Sequence, residues 1–99
     1  MAEKMISDSA QDGASGLNEA ELIAHYIEPD LDRPGPAEAR LVDSGVPVWA
    51  LIGHYQATGR DPAVVAADYD VPLAAVAAAL AYYAQHRAAI DARLEANAA

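Results

Sequence analysis

The chain has 99 residues and a formal net charge of −9, from six basic and fifteen acidic side chains. This length fits one domain, and the negative charge excludes non-specific affinity for phosphate backbones as the main activity. The absence of cysteine excludes disulfides, thiolate zinc sites and thiol catalysis.

The apolar content indicates a small helical core. The hydrophobic fraction is 54%, but alanine alone contributes 25 residues, so a deep enzyme cleft is not expected. The uncharged run at residues 71–85 is shorter than the ~20 residues that cross a bilayer. Residues 1–16 lack the apolar segment of a signal peptide, and their composition predicts a disordered tail. We therefore expect a soluble, cytoplasmic protein without membrane contact.

Residues 17–45 are predicted to form an acidic arm. Asn18 is placed to cap a short amphipathic helix, which ends before a proline-rich linker at 29–37. A β-prone piece follows at 40–42 and could continue to residue 48. One strand cannot stand alone, so it must pair within the arm or across a dimer.

Charge follows the same division of the chain. Residues 1–38 carry a net charge of −7, and residues 39–99 carry −2. This excess of acids can serve solubility alone. It can also dock the arm on a basic partner.

Residues 46–99 are predicted to form a helix-turn-helix domain with an extended third helix. The first helix follows Pro47 and closes at Gly59, Asp61 and Pro62 open the second, and Pro72 starts the third. The third helix would run to residue 96 and span roughly 36 Å at 1.5 Å per residue. Its distal half would exceed the reach of the preceding helices, so we expect a homodimer joined there and through the strand. The predicted fold class is mainly α: a trihelical domain, a short N-terminal helix and a short β-strand.

An ordered series of motifs runs through residues 46–96. These motifs resemble the family called domain of unknown function 433. The matching elements are Val46-Pro47-Val48-Trp49, Gly59 with Asp61-Pro62, Asp68-Tyr69, and Leu73 with Val76, Ala79, Leu80, Tyr82 and Tyr83, followed by His86-Arg87 and Ile90-Asp91. The resemblance implies a homeodomain-like helix-turn-helix fold. It also implies an antitoxin that binds a PIN-like ribonuclease toxin and can bind its own promoter.

The chain departs from the family pattern just before the first motif. The family carries Ile-Arg-Gly-Thr-Arg there, whereas this chain has Leu41-Val42-Asp43-Ser44-Gly45. Both arginines are lost and an aspartate is gained. Any contact that those arginines make in relatives is therefore not expected here.

The start of the predicted third helix argues against independent DNA binding. Residues 72–78 are proline, leucine, valine and alanine, and none of these side chains can donate a hydrogen bond to a base edge. Asp68 and Asp70 would repel phosphate, and Arg60 is the only base near the turn. We expect DNA binding to be weak, or to occur only in complex with the toxin.

The sequence shows no pattern of an enzyme or of a metal site. The three histidines lie in different predicted helices without ligand spacing. Asp43, Ser44 and His54 contain the residue types of a nucleophilic triad, but the Gly-x-Ser-x-Gly elbow is absent. We predict no catalytic activity, no metal and no cofactor.

The candidate partner-binding residues are of three kinds. Acids of the arm would cover the basic RNA-binding rim of the toxin, or arginines of the third helix would capture its catalytic carboxylates. Apolar and aromatic side chains would add contact area, although Trp49, Tyr82 and Tyr83 can equally be packing residues. The acids are Glu21, Glu28, Asp30 and Asp32; the arginines are Arg87 and Arg93; the others are Trp49, Tyr82, Tyr83, Ile90 and Leu94.

The sequence thus leads to one preferred function and one alternative. The preferred function is an antitoxin-like interaction module that binds and neutralises a cognate PIN-like ribonuclease. The alternative is a transcription regulator that binds its own promoter as a dimer or in complex with the toxin. A structural adaptor without a toxin also stays open.

Overall fold

The computed structural model describes residues 17–98, so the predicted disordered tail at 1–16 lies outside the described residues. The described chain is mainly helical, as predicted, with one small antiparallel sheet. Its elements are α1 (Glu19–Tyr26), β1 (Ile27–Glu28), a 3₁₀ helix (Pro36–Glu38), β2 (Arg40–Leu41), α2 (Val48–Ala57), α3 (Pro62–Tyr69), α4 (Leu73–Gln85) and α5 (Arg87–Ala98).

Helix α4 is the centre of the fold. Helices α1, α2 and α3 all pack against it, and α1 does so most extensively. Methyl side chains let these helices approach closely, which explains how a chain so rich in alanine can close a core. Residues 17–45 therefore lie against the helical domain. The buried residues of α4 are Ala75, Val76, Ala78, Ala79 and Ala81.

Local capping signals place the helix starts where the sequence predicted them. Asn18 and Glu21 form a reciprocal capping box at α1. The side chain of Asp61 accepts a hydrogen bond at the start of α3, and Pro62 takes the first helical position. Gly59 adopts a φ of 85° just beyond α2, a conformation that glycine reaches without strain.

The predicted strand finds its partner within the chain. Strand β2 pairs antiparallel with β1, in a register that sets Leu41 opposite Ile27 and Arg40 opposite Glu28. The extended region predicted up to residue 48 shortens to Arg40–Leu41 plus a single bridge from Arg40 to Pro47. A strand swapped across a dimer is not needed to satisfy these hydrogen bonds.

The prediction of one continuous helix from 73 to 96 is wrong. Helix α4 ends at Gln85, and His86 leaves helical geometry at φ −129° and ψ 35°. Helix α5 then turns back and packs on α2 and on the 3₁₀ helix. Fully burying a large aliphatic side chain is worth about 1.5–3 kcal/mol, whereas a helical hydrogen bond contributes about 0.5–1.5 kcal/mol net. The side-chain burial that α5 gains by packing on α2 therefore outweighs the helical hydrogen bonding lost at His86.

Two residues assigned to a dimer interface lie in the core instead. Ile90 is fully buried, and Leu94 packs against the core beside Gly53 of α2. Conversely, Leu73, the first residue of α4, is 56% exposed. The distal segment is thus covered by its own chain. The homodimer stays a prediction, but an uncovered distal helix no longer argues for it.

Helices α3 and α4 meet at 117°, an angle within the range of helix-turn-helix pairs. The assignment of a trihelical helix-turn-helix remains a prediction. Within residues 17–98, no single helix has the length and apolarity to cross a membrane, and only the bent pair α3 and α4 meets both criteria together.

Candidate functional site

The predicted acids fall into two groups. Glu21 and Glu28 have structural partners: Glu21 closes the α1 capping box, and the Oε2 atom of Glu28 lies 2.9 Å from Nε of Arg40 across the sheet. Asp30 and Asp32 share a turn, in which Oδ1 of Asp30 accepts the backbone N–H of Asp32 at 2.9 Å. Neither aspartate forms an ion pair within residues 17–98. Asp30 and Asp32 therefore offer two adjacent uncompensated charges to a partner.

Arg93 joins three elements of the fold. Its guanidinium carbon lies 4.1 Å from the ring centroid of Trp49 on α2, and its Nε donates to Oε2 of Glu38 at 3.1 Å. Trp49 is half-buried and packs against the core. A guanidinium held between an aromatic face and a carboxylate already has its partners within the chain. The structure therefore favours a packing role for Trp49 and Arg93 over capture of a partner's carboxylate.

Arg87 and Tyr83 belong to a polar cluster at the corner between α4 and α5. The hydroxyl of Tyr83 donates to Oδ1 of Asp91 at 2.7 Å, and Nη1 of Arg87 approaches that hydroxyl at 3.4 Å while its guanidinium lies over the ring. The hydrogen bond to Asp91 raises the pKa of Tyr83 above its ordinary value of 10.0, because the protonated phenol is the donor. This cluster fixes the corner.

Tyr82 ties α4 to the 3₁₀ helix. Its hydroxyl donates to the carbonyl oxygen of Pro36 at 2.7 Å, and its ring packs against His86 at a centroid distance of 4.4 Å. Burial raises the pKa of Tyr82. Both tyrosines thus act as packing residues within the described chain, which was the alternative left open by the sequence.

The residue types of a nucleophilic triad are not brought together. Nε2 of His54 lies 2.7 Å from Oδ2 of Asp68 on α3, whereas Oγ of Ser44 accepts the backbone N–H of Val46. Within the described part of the chain, no group of three histidine or acidic side chains is placed to hold a metal ion. Ser44 and His54 each serve local structure.

The surface around the α3–α4 turn is negative and poor in donors. Asp68 and Asp70 are exposed there, and Leu73 occupies the position where a recognition helix would offer polar side chains to base edges. Acids so placed repel phosphate. This surface agrees with the expectation from the sequence that α4 is poorly suited to contact DNA.

One exposed residue was missed from the sequence. Leu31 lies between Asp30 and Asp32 and is 87% exposed, far more than any other large hydrophobic residue within 17–98. A signal for it was present in the sequence. A single leucine between two aspartates in a proline-rich segment has no apolar neighbours at helical or strand spacing, so it cannot join a core.

Comparison with known proteins identifies one family. The family model described as "Protein of unknown function (DUF433)" matches residues 37–83. This range begins at the 3₁₀ helix, ahead of the motifs that carried the resemblance, and ends before the break at His86. No curated protein and no solved structure matches the chain significantly.

Proposed function

We propose that this chain, whose residues 37–83 match the DUF433 family model, is an antitoxin-like interaction module that binds and neutralises a PIN-like ribonuclease toxin. The identity of the toxin class comes from the family resemblance. The surface of the described residues supports a mode of binding by charge complementarity.

One observation carries the proposal: the charge of the described surface is predominantly negative, with Arg33 and Arg60 as exposed cations outside ion pairs. Residues 17–98 contain twelve acids and five arginines. Arg40 and Arg93 are already in ion pairs, and Arg87 lies over a tyrosine ring. A ribonuclease must present basic side chains to the phosphates of RNA. A protein with this surplus of acids complements such a rim and competes with RNA for it.

The structure changes which residues would make that contact. Glu21 and Glu28 are engaged in capping and pairing, and Arg93 is held by Trp49 and Glu38. The remaining candidates are Asp30 and Asp32, which have no ion partner within the described chain. We therefore assign the contact with the basic rim to the turn that holds these two aspartates.

The test first asks whether a PIN-like ribonuclease is encoded beside this chain, and then measures inhibition of that purified enzyme with a fluorescent RNA substrate. Equimolar addition is expected to suppress cleavage, and added salt is expected to restore it, because screening weakens contacts between exposed charges. Full ribonuclease activity in the presence of a tenfold excess of this protein would reject the proposal.

The alternative function, promoter binding, has one observation in its favour. The 117° angle between α3 and α4 suits a helix-turn-helix, although the exposed acids around that turn oppose phosphate. A salt-titrated DNA-binding assay on the isolated protein separates the two functions. Promoter binding with a steep negative dependence of log affinity on log salt would favour the regulator.

A further inference from the structure

The turn at residues 30–33 presents one leucine almost completely to solvent. Leu31 is 87% exposed, while Leu73, the next most exposed large hydrophobic residue within 17–98, reaches 56%. Leu31 is not among the side chains that pack against the core. Its apolar surface therefore does little for folding and is available for contact with another molecule.

The backbone holds this leucine in a fixed turn. The N–H of Arg33 donates to the carbonyl oxygen of Asp30 at 3.3 Å, and the N–H of Asp32 donates to the side chain of Asp30 at 2.9 Å. Pro29 and Pro34 flank the turn and restrict its backbone further. A preorganised apolar side chain loses less conformational entropy on binding than one on a flexible loop.

The surroundings of the turn suit a docking surface. An apolar groove of about 390 Å³ includes Pro29 at the start of the turn, and its lining also includes Ile23 and Tyr82. A second cleft of about 220 Å³ includes Asp30 and Arg33 of the turn in its wall. Neighbours of Leu31 in the turn thus line two concave regions that a partner's surface can follow.

We propose that Leu31 is the anchor of partner binding and inserts into an apolar pocket rimmed by basic groups on the ribonuclease. Leu31 fits an apolar pocket, and the two carboxylates of the turn, Asp30 and Asp32, outnumber its one cation, Arg33, so a basic rim fits around it. A second copy of this chain suits the turn poorly, because its net charge is also −9. This inference rests on the proposed function and specifies the contact through which it acts.

The experiment measures the affinity of the full chain for the purified ribonuclease by calorimetry. Leu31→Ser is expected to weaken binding about 10- to 100-fold, which corresponds to removing one fully buried aliphatic side chain from the complex. Its unfolding midpoint should not change, because Leu31 is nearly fully exposed in the free protein. Leu73→Ser is the matched control, and its affinity should stay within about twofold of wild type. Leu73 starts α4, whereas the turn lies near the other end of that helix, where Tyr82 bonds Pro36.

A second pair of variants tests the acidic flanks. Asp30→Asn keeps the Oδ1 acceptor that closes the turn and removes only the charge; Asp32→Asn also removes one charge. Each substitution is expected to slow association at low salt and to lose this effect at high salt.

Each outcome decides between distinct conclusions. Wild-type affinity in Leu31→Ser would overturn the anchor and leave the proposed function standing, and equal losses in Leu31→Ser and Leu73→Ser would also overturn it. Failure of the wild-type protein to bind the ribonuclease would overturn both. A lower sedimentation coefficient of Leu31→Ser alone in solution would identify a second copy as the occupant and reject the ribonuclease pocket.

Discussion

At the scale of single residues, the contact between Gly53 and Leu94 shows how closely α5 packs on α2. A Cβ atom built on Gly53 would lie 3.0 Å from Cδ2 of Leu94, which is tighter than most packing contacts of a Cβ atom. Glycine at this position lets the two helices approach. Its place inside a helix, where glycine is otherwise unfavourable, is explained by this packing.

Gly53→Val is therefore expected to destabilise the protein by about 1–3 kcal/mol through overpacking. Combining it with Leu94→Ala should recover part of the loss, because the shortened side chain makes room for the new one. Urea denaturation of the two single variants and the double variant measures this coupling. Strictly additive effects would show that the two residues do not share a contact.

Tyr83 gives the fold a dependence on alkaline pH. Its pKa is raised in the folded state, mainly by the hydrogen bond to Asp91, so the unfolded chain releases this proton at a lower pH than the folded chain. Stability contributed by Tyr83 is then complete below pH ~10 and falls as the pH rises through the folded-state pKa. Urea midpoints measured from pH 8 to pH 11 should fall less steeply in Tyr83→Phe. Identical slopes in both proteins would contradict the hydrogen bond.

At the scale of elements, helix starts could be predicted and the break in the last helix could not. Asn18, Asp61 and Pro62 act through local backbone geometry, which the sequence displays directly. His86 lies in a segment without glycine or proline, so no local signal marks the break. The break exists because α5 finds apolar contacts on α2, and such non-local packing is not visible in the periodicity of one segment.

The packing of α5 on α2 predicts that shortening Ile90 destabilises the monomer. If Ile90 lay in a dimer interface, the same change would leave the stability of the monomer nearly unchanged. Ile90→Ala should reduce the free energy of unfolding by about 2–5 kcal/mol, because Ile90 is fully buried. Leu73→Ala, at an exposed leucine, serves as the control and should change stability by less than about 0.5 kcal/mol. Thermal and urea unfolding followed by circular dichroism provide both values. If both variants lost similarly little free energy of unfolding, Ile90 would lie on a surface between molecules and not in the core.

Only part of the candidate site could be predicted from the sequence, because local signals place some of its residues and distant contacts place the others. The position of Asp30 and Asp32 in a polar turn follows from their proline-rich surroundings, whereas the engagement of Glu28 by Arg40 depends on strand pairing and that of Arg93 by Trp49 and Glu38 on the fold-back. Long side chains can reach partners that are distant in the chain. Their availability for a ligand therefore could not be read from spacing alone.

At the scale of the whole molecule, the chain satisfies within itself the features that led to the prediction of a dimer. The strand is paired by β1, and the distal helix is covered by α2. What stays open to a partner is an acidic surface with one prominent leucine. The central claim is that this surface binds a basic ribonuclease by charge complementarity.

The most direct test of this claim is the association rate constant with the ribonuclease, measured by stopped-flow fluorescence at ionic strengths of about 20 mM and 300 mM. Electrostatic steering predicts a rate at least about tenfold higher at the lower ionic strength. The dissociation rate should change much less, since rim charges act mainly on encounter. An association rate that does not depend on salt would contradict the claim.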